Sequence, residues 1–202
     1  MRAPLLEVQD ERMESIAAAR PAGGLFAAPR SVRTIGDLFA NVWQLGYVTT
    51  DLDRALEELS ARFGLEHQFR VPSGGATFMA GSQVVPWEAR FAMAARGGLI
   101  IEVIEPVAGE VDFYRQALPA DGSFAIRLHH LATFMETGDE AWERVGGLLA
   151  TAGMRFDYTM LIPGRVRAGY IDARAELGHF LEVCQLERDD LGFFSALAAD
   201  SA

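Results

Sequence analysis

The stretch NVWQLGYVTTDLDRALEEL, residues 41–59, changes from one hydrophobic pattern to another. Residues 42–48 are mostly apolar, which is typical of a buried strand. Asp51 then offers a helix N-cap, and Gly64 is a typical helix-ending residue. Between these two positions, apolar side chains recur at helical spacing: Leu52, Ala55, Leu56, Leu59 and Phe63. The pattern therefore predicts a strand that leads directly into an amphipathic helix.

The same pattern occurs a second time in the chain. Residues 44–59 align with residues 130–145, whose sequence is HLATFMETGDEAWERV. Further along, LIIEVI at 99–104 aligns with HFLEVC at 179–184, and the two segments share a Glu-Val pair. An internal repeat of this kind indicates a duplicated structural unit. Each unit reads as a strand, a helix and three more strands, so the sequence predicts an α+β fold made of two βαβββ units.

The two units also define the predicted domain. The first unit covers about residues 40–106 and the second about residues 126–187. We predict one domain over residues 37–187, preceded by an extension and a Gly/Pro/Ala-rich linker over residues 1–36. Residues 188–202 form a tail that we predict to be a short helix.

Four polar side chains occupy equivalent positions in the two units. Gln44 and His130 open the units, and Glu102 and Glu182 lie in the closing strands, on faces that are otherwise apolar. A carboxylate buried on such a face must be paired, protonated or bound to a metal. Two carboxylates, an imidazole and an amide oxygen form a nitrogen and oxygen ligand set for a divalent cation. A second interpretation stays open, in which the four groups only pair with one another.

The other three histidines are weaker candidates for such a site. His129 precedes His130 in the same strand, and strand alternation predicts that its side chain points to the opposite face. His179 is expected at the mouth of the last strand, and His67 on an outer strand. We therefore predict that His129 packs or forms hydrogen bonds, and that neither His179 nor His67 is a ligand.

Composition narrows the class of partner. The formal net charge is -10 and the isoelectric point is near 4.8, which argues against nucleic-acid binding because that requires a basic face. No apolar run approaches the length of a membrane span, and the N-terminus lacks the apolar core of a signal peptide. A single cysteine, Cys184, excludes an internal disulfide and fits a reducing cytoplasm. The expected partner is a small molecule, and the expected location is cytoplasmic.

These features together resemble the vicinal oxygen chelate superfamily, which includes glyoxalase I, methylmalonyl-CoA epimerase, extradiol dioxygenases and bleomycin-resistance proteins. The resemblance rests on the order of QLGYVTTDLDRAL, IIEVIEPVAG, VDFYRQAL, LHHLATF and LGHFLEV. It is closest to glyoxalase-like and methylmalonyl-CoA epimerase-like members. It implies an incomplete β-barrel around a central divalent ion of zinc, nickel, cobalt, manganese or iron(II). The implied metal ligands are Gln44, Glu102, His130 and Glu182.

The resemblance also implies an activity. Superfamily enzymes of this kind act as isomerases, epimerases or lyases on small oxygenated or carbonyl substrates, through an enolate-like intermediate. Glu182 is the first candidate for the base and Glu102 the second, while Glu88 is a candidate for a second acid. Gln44 stands where epimerases usually have a histidine, although some glyoxalase I enzymes have a similar ligand set. The alternative function is binding of a drug-like molecule without chemistry, as in the bleomycin-resistance branch.

Three further expectations concern the periphery of the site. Four arginines are candidates for binding an anionic substrate, with solvated surface charges as the alternative: Arg90, Arg165, Arg167 and Arg174. Residues 72–86 are expected to form a mobile loop over one end of the barrel. A homodimer is expected, because apolar residues around 25–28 and at Phe193 and Phe194 offer additional contact surface.

Overall fold

The computed structural model describes the chain in five ranges: residues 31–40, 42–66, 69–72, 77–96 and 99–187. The predictions for residues 1–30, for His67 and for the tail at 188–202 lie outside the described residues.

Within the described ranges, ten strands and four α-helices follow the order that the repeat predicts, with one hairpin and two short helices added. The strands are β1 (Val42–Thr49), β2 (Phe69–Pro72), β3 (Thr77–Ala80), β4 (Gln83–Val85), β5 (Trp87–Arg96), β6 (Leu99–Gly109), β7 (Ile126–Phe134), β8 (Tyr158–Ile162), β9 (Val166–Ala173) and β10 (His179–Leu186). The helices are α1 (Leu52–Phe63), α2 (Asp112–Arg115), α3 (Asp139–Thr151) and α4 (Arg174–Leu177), and a 3₁₀ helix spans Ile35–Phe39.

All the described strands belong to one sheet, in the order β2-β5-β6-β1-β7-β10-β9-β8-β3-β4. Within each unit the first and last strands pair in parallel, β1 with β6 and β7 with β10. The two units join through the antiparallel pair of β1 and β7 at the centre of the sheet. This arrangement confirms the predicted α+β fold of two βαβββ units, and it places the four opening and closing strands side by side.

The prediction of a mobile loop over residues 72–86 is wrong for the part that the structure describes. Strands β3 and β4 form a hairpin there, and β3 pairs with β8, the edge strand of the second unit. Phe78 is fully buried at this junction, opposite Met160. An apolar side chain at this position stabilises the hairpin against the second unit, although the hairpin belongs to the first unit in sequence.

Helices α1 and α3 pack on the outer side of the sheet and follow the predicted pattern. Asp51 caps α1 by accepting a hydrogen bond from the backbone N–H of Arg54, and Gly64 ends the helix with a left-handed φ of 64°. Helix α1 buries its apolar stripe against Ala92 and Val103. Helix α3 packs in the same way on the second unit. No helix within the described ranges is both long and apolar enough to cross a membrane.

Candidate metal centre

The four polar residues singled out by the repeat come together in the interior. Gln44 lies on β1, Glu102 on β6, His130 on β7 and Glu182 on β10, which are the four adjacent central strands. Their exposed fractions are 5%, 7%, 0% and 4%, respectively. Because burial of this many polar groups is unfavourable unless each finds a partner, their convergence points to a functional site.

Two close contacts hold the group together. The Gln44 Nε2 donates a hydrogen bond of 2.8 Å to Glu102 Oε2. The His130 Nε2 lies 2.9 Å from Glu182 Oε2 and 3.6 Å from Glu102 Oε2. The short contact between His130 and Glu182 lacks hydrogen-bond alignment, so within the described part of the chain both atoms are buried without a hydrogen-bond partner. Two unsatisfied atoms that face one another mark the point where a cation would satisfy both.

This donor set fits a divalent metal in its chemistry. Ligand atoms around a tetrahedral ion, each about 2.0–2.2 Å from it, are about 3.3–3.6 Å apart. The 2.8 and 2.9 Å contacts are shorter than this tetrahedral spacing. In keeping with this, no three His, Cys, Asp or Glu side chains among the described residues are spaced to hold a metal as they stand. A tetrahedral ion therefore requires the side chains to separate by about half an ångström. Gln44, which points its Nε2 at Glu102, would also have to turn its amide oxygen toward the ion. The ligand assignment stays a prediction.

Gly46 makes room for the imidazole of His130. It is the cross-strand neighbour of His130 in the β1–β7 pair. A Cβ at this position would lie 1.9 Å from Cε1 and 2.2 Å from Nε2 of that ring. A glycine inside a strand often marks such a close approach, which is the sequence signal that identifies Gly46 as a site residue.

The prediction for the orientation of His129 is wrong, because β7 does not alternate at this point. The pairing with β1 passes from His130, opposite Gly46, to Leu128, opposite Tyr47, and leaves His129 as an extra residue. This β-bulge allows both histidines to point inward. His129 is 1% exposed, and its Nδ1 lies 3.0 Å from Nδ1 of His130.

The two carboxylates have opposite protonation tendencies. Burial raises the pKa of Glu102 to about 7, and Glu182 adds to this effect while His130 and Gln44 oppose it. Burial also acts to raise the pKa of Glu182, but the charge and contact of His130 outweigh it, so the pKa of Glu182 is lowered. Burial acts to lower the pKa of His130, and the neighbouring carboxylates reverse the effect and raise it. Glu182 is therefore the ionised carboxylate, and Glu102 retains a proton up to about neutral pH.

Three neighbouring groups were not anticipated from the sequence. Tyr170 on β9 lies directly across from Glu182 on β10 and helps to lower the pKa of that carboxylate, and the thiol of Cys184 donates to Glu182 Oε1 at 3.1 Å. Tyr114, from the short helix α2, contributes a buried hydroxyl that has no hydrogen-bond partner among the described residues. Burial raises the pKa of both tyrosines well above the ordinary value, so both hydroxyls stay protonated. The β9–β10 register would reveal Tyr170 from the sequence, but nothing in the sequence places α2 inside the sheet.

Aromatic rings fill the interior beside these polar groups. The Phe113 ring centroid lies 4.3 Å from that of Tyr158, 4.8 Å from Phe180 and 5.6 Å from Phe78. Trp87 and Met160 pack against the same cluster and are partly buried. The cluster separates the four polar residues from solvent.

The four arginines considered as binding residues for an anionic substrate lie at the surface. Arg90 forms ion pairs with Asp53 and Glu105, each at 2.7 Å. Arg167 pairs with Asp139 and Arg174 with Asp172, and Arg165 is exposed. These four ion pairs, formed by three of the arginines, favour the interpretation as surface charges.

Glu88, the candidate for a second acid, and His179 also lie outside the group of four polar residues. Glu88 is exposed, whereas its neighbours Trp87 and Ala89 contribute to the interior. This position does not suit a second acid at the site. His179 begins β10 as predicted, and its Nδ1 lies 2.8 Å from the carbonyl oxygen of Phe180.

Comparisons with known proteins identify the fold. No protein-family model matches the sequence, and no curated protein matches it. Methylmalonyl-CoA epimerase from Mycobacterium tuberculosis is similar in structure, with a TM-score of 0.51 and 17% identity over 77% of this chain and 93% of that protein. A hypothetical protein from Bacillus halodurans C-125 has a TM-score of 0.50 and 17% identity, over 73% and 95% of the two chains. The described chain therefore has the fold of the vicinal oxygen chelate superfamily, with two βαβββ units in one curled sheet.

Proposed function

We propose that this chain is a metal-dependent, glyoxalase-like enzyme, acting as an isomerase, epimerase or lyase on a small oxygenated or carbonyl substrate through an enolate-like intermediate. The observation that carries this proposal is the pair of buried, unsatisfied atoms at the centre of the sheet, His130 Nε2 and Glu182 Oε2. A purely structural pairing would align them as a hydrogen bond, whereas metal ligands direct their lone pairs at a shared point.

In this proposal Gln44, Glu102, His130 and Glu182 hold the ion. A bound divalent ion supplies Lewis-acid stabilisation of negative charge on a substrate oxygen. The chain supplies proton transfer, since Glu182 is ionised and suited to accept a proton from carbon, while Glu102 has a pKa of about 7 and is suited to return one. Tyr170, directly across from Glu182 in the β9–β10 pair, is placed to orient that carboxylate.

A second candidate function is binding of an aromatic molecule without chemistry. The ring cluster around Phe113 favours it, because an aromatic guest could replace the packing of Phe78 or Tyr158 with similar contacts. The exposed Glu88 is also consistent with this alternative, since it leaves the site without the second acid first expected. Metal content separates the two candidates. A homodimeric state, a cytoplasmic location and the identity of the metal remain predictions.

Metal analysis is the direct test. Protein purified without chelator and supplied with zinc is expected to hold about one ion per chain, measured by elemental analysis after gel filtration. His130→Ala should bind none, because it removes the nitrogen at the centre of the four residues. His179→Ala is the matched control and should keep the ion, since His179 lies outside the group. A wild-type protein without any bound zinc would contradict the proposal and favour the aromatic-binding alternative.

Metal affinity should also depend on pH in a defined direction. The pKa of Glu102 is raised from 4.5 to about 7 in the folded, metal-free chain, so this group contributes stability below pH 4.5 that is lost as the pH rises through about 7. Zinc binding needs the carboxylate and releases that proton. The association constant should therefore fall at least about tenfold for each pH unit below 7, and His130, whose pKa is also raised, should steepen the fall.

Chelator competition between about pH 5.5 and 8.5, at constant ionic strength, measures this dependence. Glu102→Gln cannot release the proton and should show a shallower slope, by about one proton per ion bound. An affinity that stays constant below pH 7 in the wild type would show that Glu102 does not bind the ion.

A further inference from the structure

The inner surface of β7 carries a second histidine that the proposed chemistry does not use. His129 is buried beside His130, at the bulge that turns both rings inward. We propose that His129 is a positioning residue that fixes the tautomer and orientation of His130 for metal binding. This inference rests on the proposed function.

Two contacts connect the backbone of helix α2 to His130 through His129. The Nε2 of His129 lies 3.1 Å from the carbonyl oxygen of Phe113, in the short helix α2 between the two units. The Nδ1 of His129 lies 3.0 Å from Nδ1 of His130, with the two rings nearly perpendicular at 87°. Both contacts are short enough to be hydrogen bonds, and both are buried.

The position of each proton follows from what the groups can accept. A carbonyl oxygen only accepts, so His129 must carry its proton on Nε2. In a neutral ring the other nitrogen, Nδ1, then has a lone pair and accepts from Nδ1–H of His130. With its own proton on Nδ1, His130 presents Nε2 to the two carboxylates, and this nitrogen is bare once the ring is neutral, as metal binding requires. That atom is the one that faces Glu182 at 2.9 Å and Glu102 at 3.6 Å.

Aromatic packing holds the His129 ring between these two contacts. Its neighbours include Phe113, with a ring centroid at 4.6 Å, and Phe180, at 5.0 Å. The backbone of α2 thus determines which nitrogen of His130 is free.

This arrangement gives α2 a defined role. A histidine ligand is usually oriented by a carboxylate, a backbone carbonyl or a water on its second nitrogen. Here a second histidine extends that contact to Phe113, because the strand bulge places His129 between the ligand and the helix.

Variants of His129 test the proposal through zinc affinity, measured by chelator competition at fixed pH. His129→Phe keeps the ring in its aromatic surroundings but removes the acceptor, so zinc binding should weaken by about 10–100-fold. His129→Asn places an amide oxygen near the original Nδ1 position and should keep the affinity within about threefold of the wild type. His179→Phe is the matched control and should match the wild type. Equal affinity of His129→Phe and wild type would overturn the proposal, as would equal losses in the phenylalanine and asparagine variants.

The proton on His130 is observable independently by ¹⁵N NMR of histidine-labelled, zinc-loaded full-length protein. We expect a protonated Nδ1 and a metal-bound Nε2 on His130, and a protonated Nε2 with a bare Nδ1 on His129. The reverse assignment for either ring would overturn the inference even if every variant folds poorly. Failure of the wild type to load zinc would instead count against the proposed function, so the two failures are distinguishable.

Discussion

Replacing Gly46 with alanine is expected to eliminate useful metal binding while leaving the sheet assembled. The new Cβ would lie within 1.9–2.4 Å of three atoms of the His130 ring, so the imidazole must leave its position. Because this displaces a ligand itself, zinc affinity should fall by more than the roughly 100-fold typical of losing an outer-shell partner. Overpacking should also lower the free energy of unfolding by about 1–3 kcal/mol. Chelator competition and chemical denaturation measure the two effects.

A matched control comes from a glycine where a methyl group has space. Gly146 lies within helix α3, and a Cβ there would meet nothing within 4 Å. Gly146→Ala should leave zinc affinity unchanged and raise the free energy of unfolding by about 0.5–1 kcal/mol, since alanine is the better helix former. If Gly46→Ala bound zinc as tightly as Gly146→Ala, the His130 ring would not be confined as the structure shows, and its role as a ligand would be in doubt.

The sequence carries enough information to locate the four central residues because the duplication constrains them twice. A polar residue at one strand position is ambiguous, but Gln44 and His130 occupy the same place in two units, as do Glu102 and Glu182. Pairing of first and last strands within each unit then brings all four to adjacent strands. The convergence of these four positions follows from the repeat and from strand periodicity, both of which can be read from the sequence. Their role as metal ligands stays a prediction.

The features that were missed depend on tertiary pairing rather than on local pattern. The bulge at His129 arises from how β7 meets β1, and strand alternation alone gives the opposite orientation. The β3–β4 hairpin looks like a Gly-rich loop because its partner, β8, lies about eighty residues away in sequence. Tyr114 enters the site from a four-residue helix too short to be predicted from periodicity.

The environment of the two carboxylates explains why equivalent positions in a duplicated fold need not have equivalent roles. Glu182 has His130 at 2.9 Å and a thiol donor at 3.1 Å, and its pKa is lowered. Glu102 has the neutral amide of Gln44 at 2.8 Å, and its pKa is raised to about 7. Separation of the pKa values of two neighbouring acids is the usual basis for a division into base and acid.

Glu182→Gln should therefore reduce turnover far more than it reduces metal binding. The amide retains the size of the side chain and one oxygen that can contact the ion, but it cannot accept a proton. Loss of a general base lowers turnover by roughly 10²–10⁴-fold, whereas zinc affinity should fall only in part. The proton-abstraction step is measured as exchange of solvent deuterium into the α-carbon of a carbonyl substrate that the wild-type protein turns over.

Gln44→Glu provides the contrasting variant. It adds a carboxylate beside Glu102 and Glu182, so it should tighten zinc binding, and it removes no base. Deuterium exchange in this variant should thus persist while zinc affinity rises, the reverse of the pattern expected for Glu182→Gln. Exchange at the wild-type rate in Glu182→Gln would show that another group abstracts the proton. Glu102 would then be tested next, because it is the other carboxylate within reach of His130.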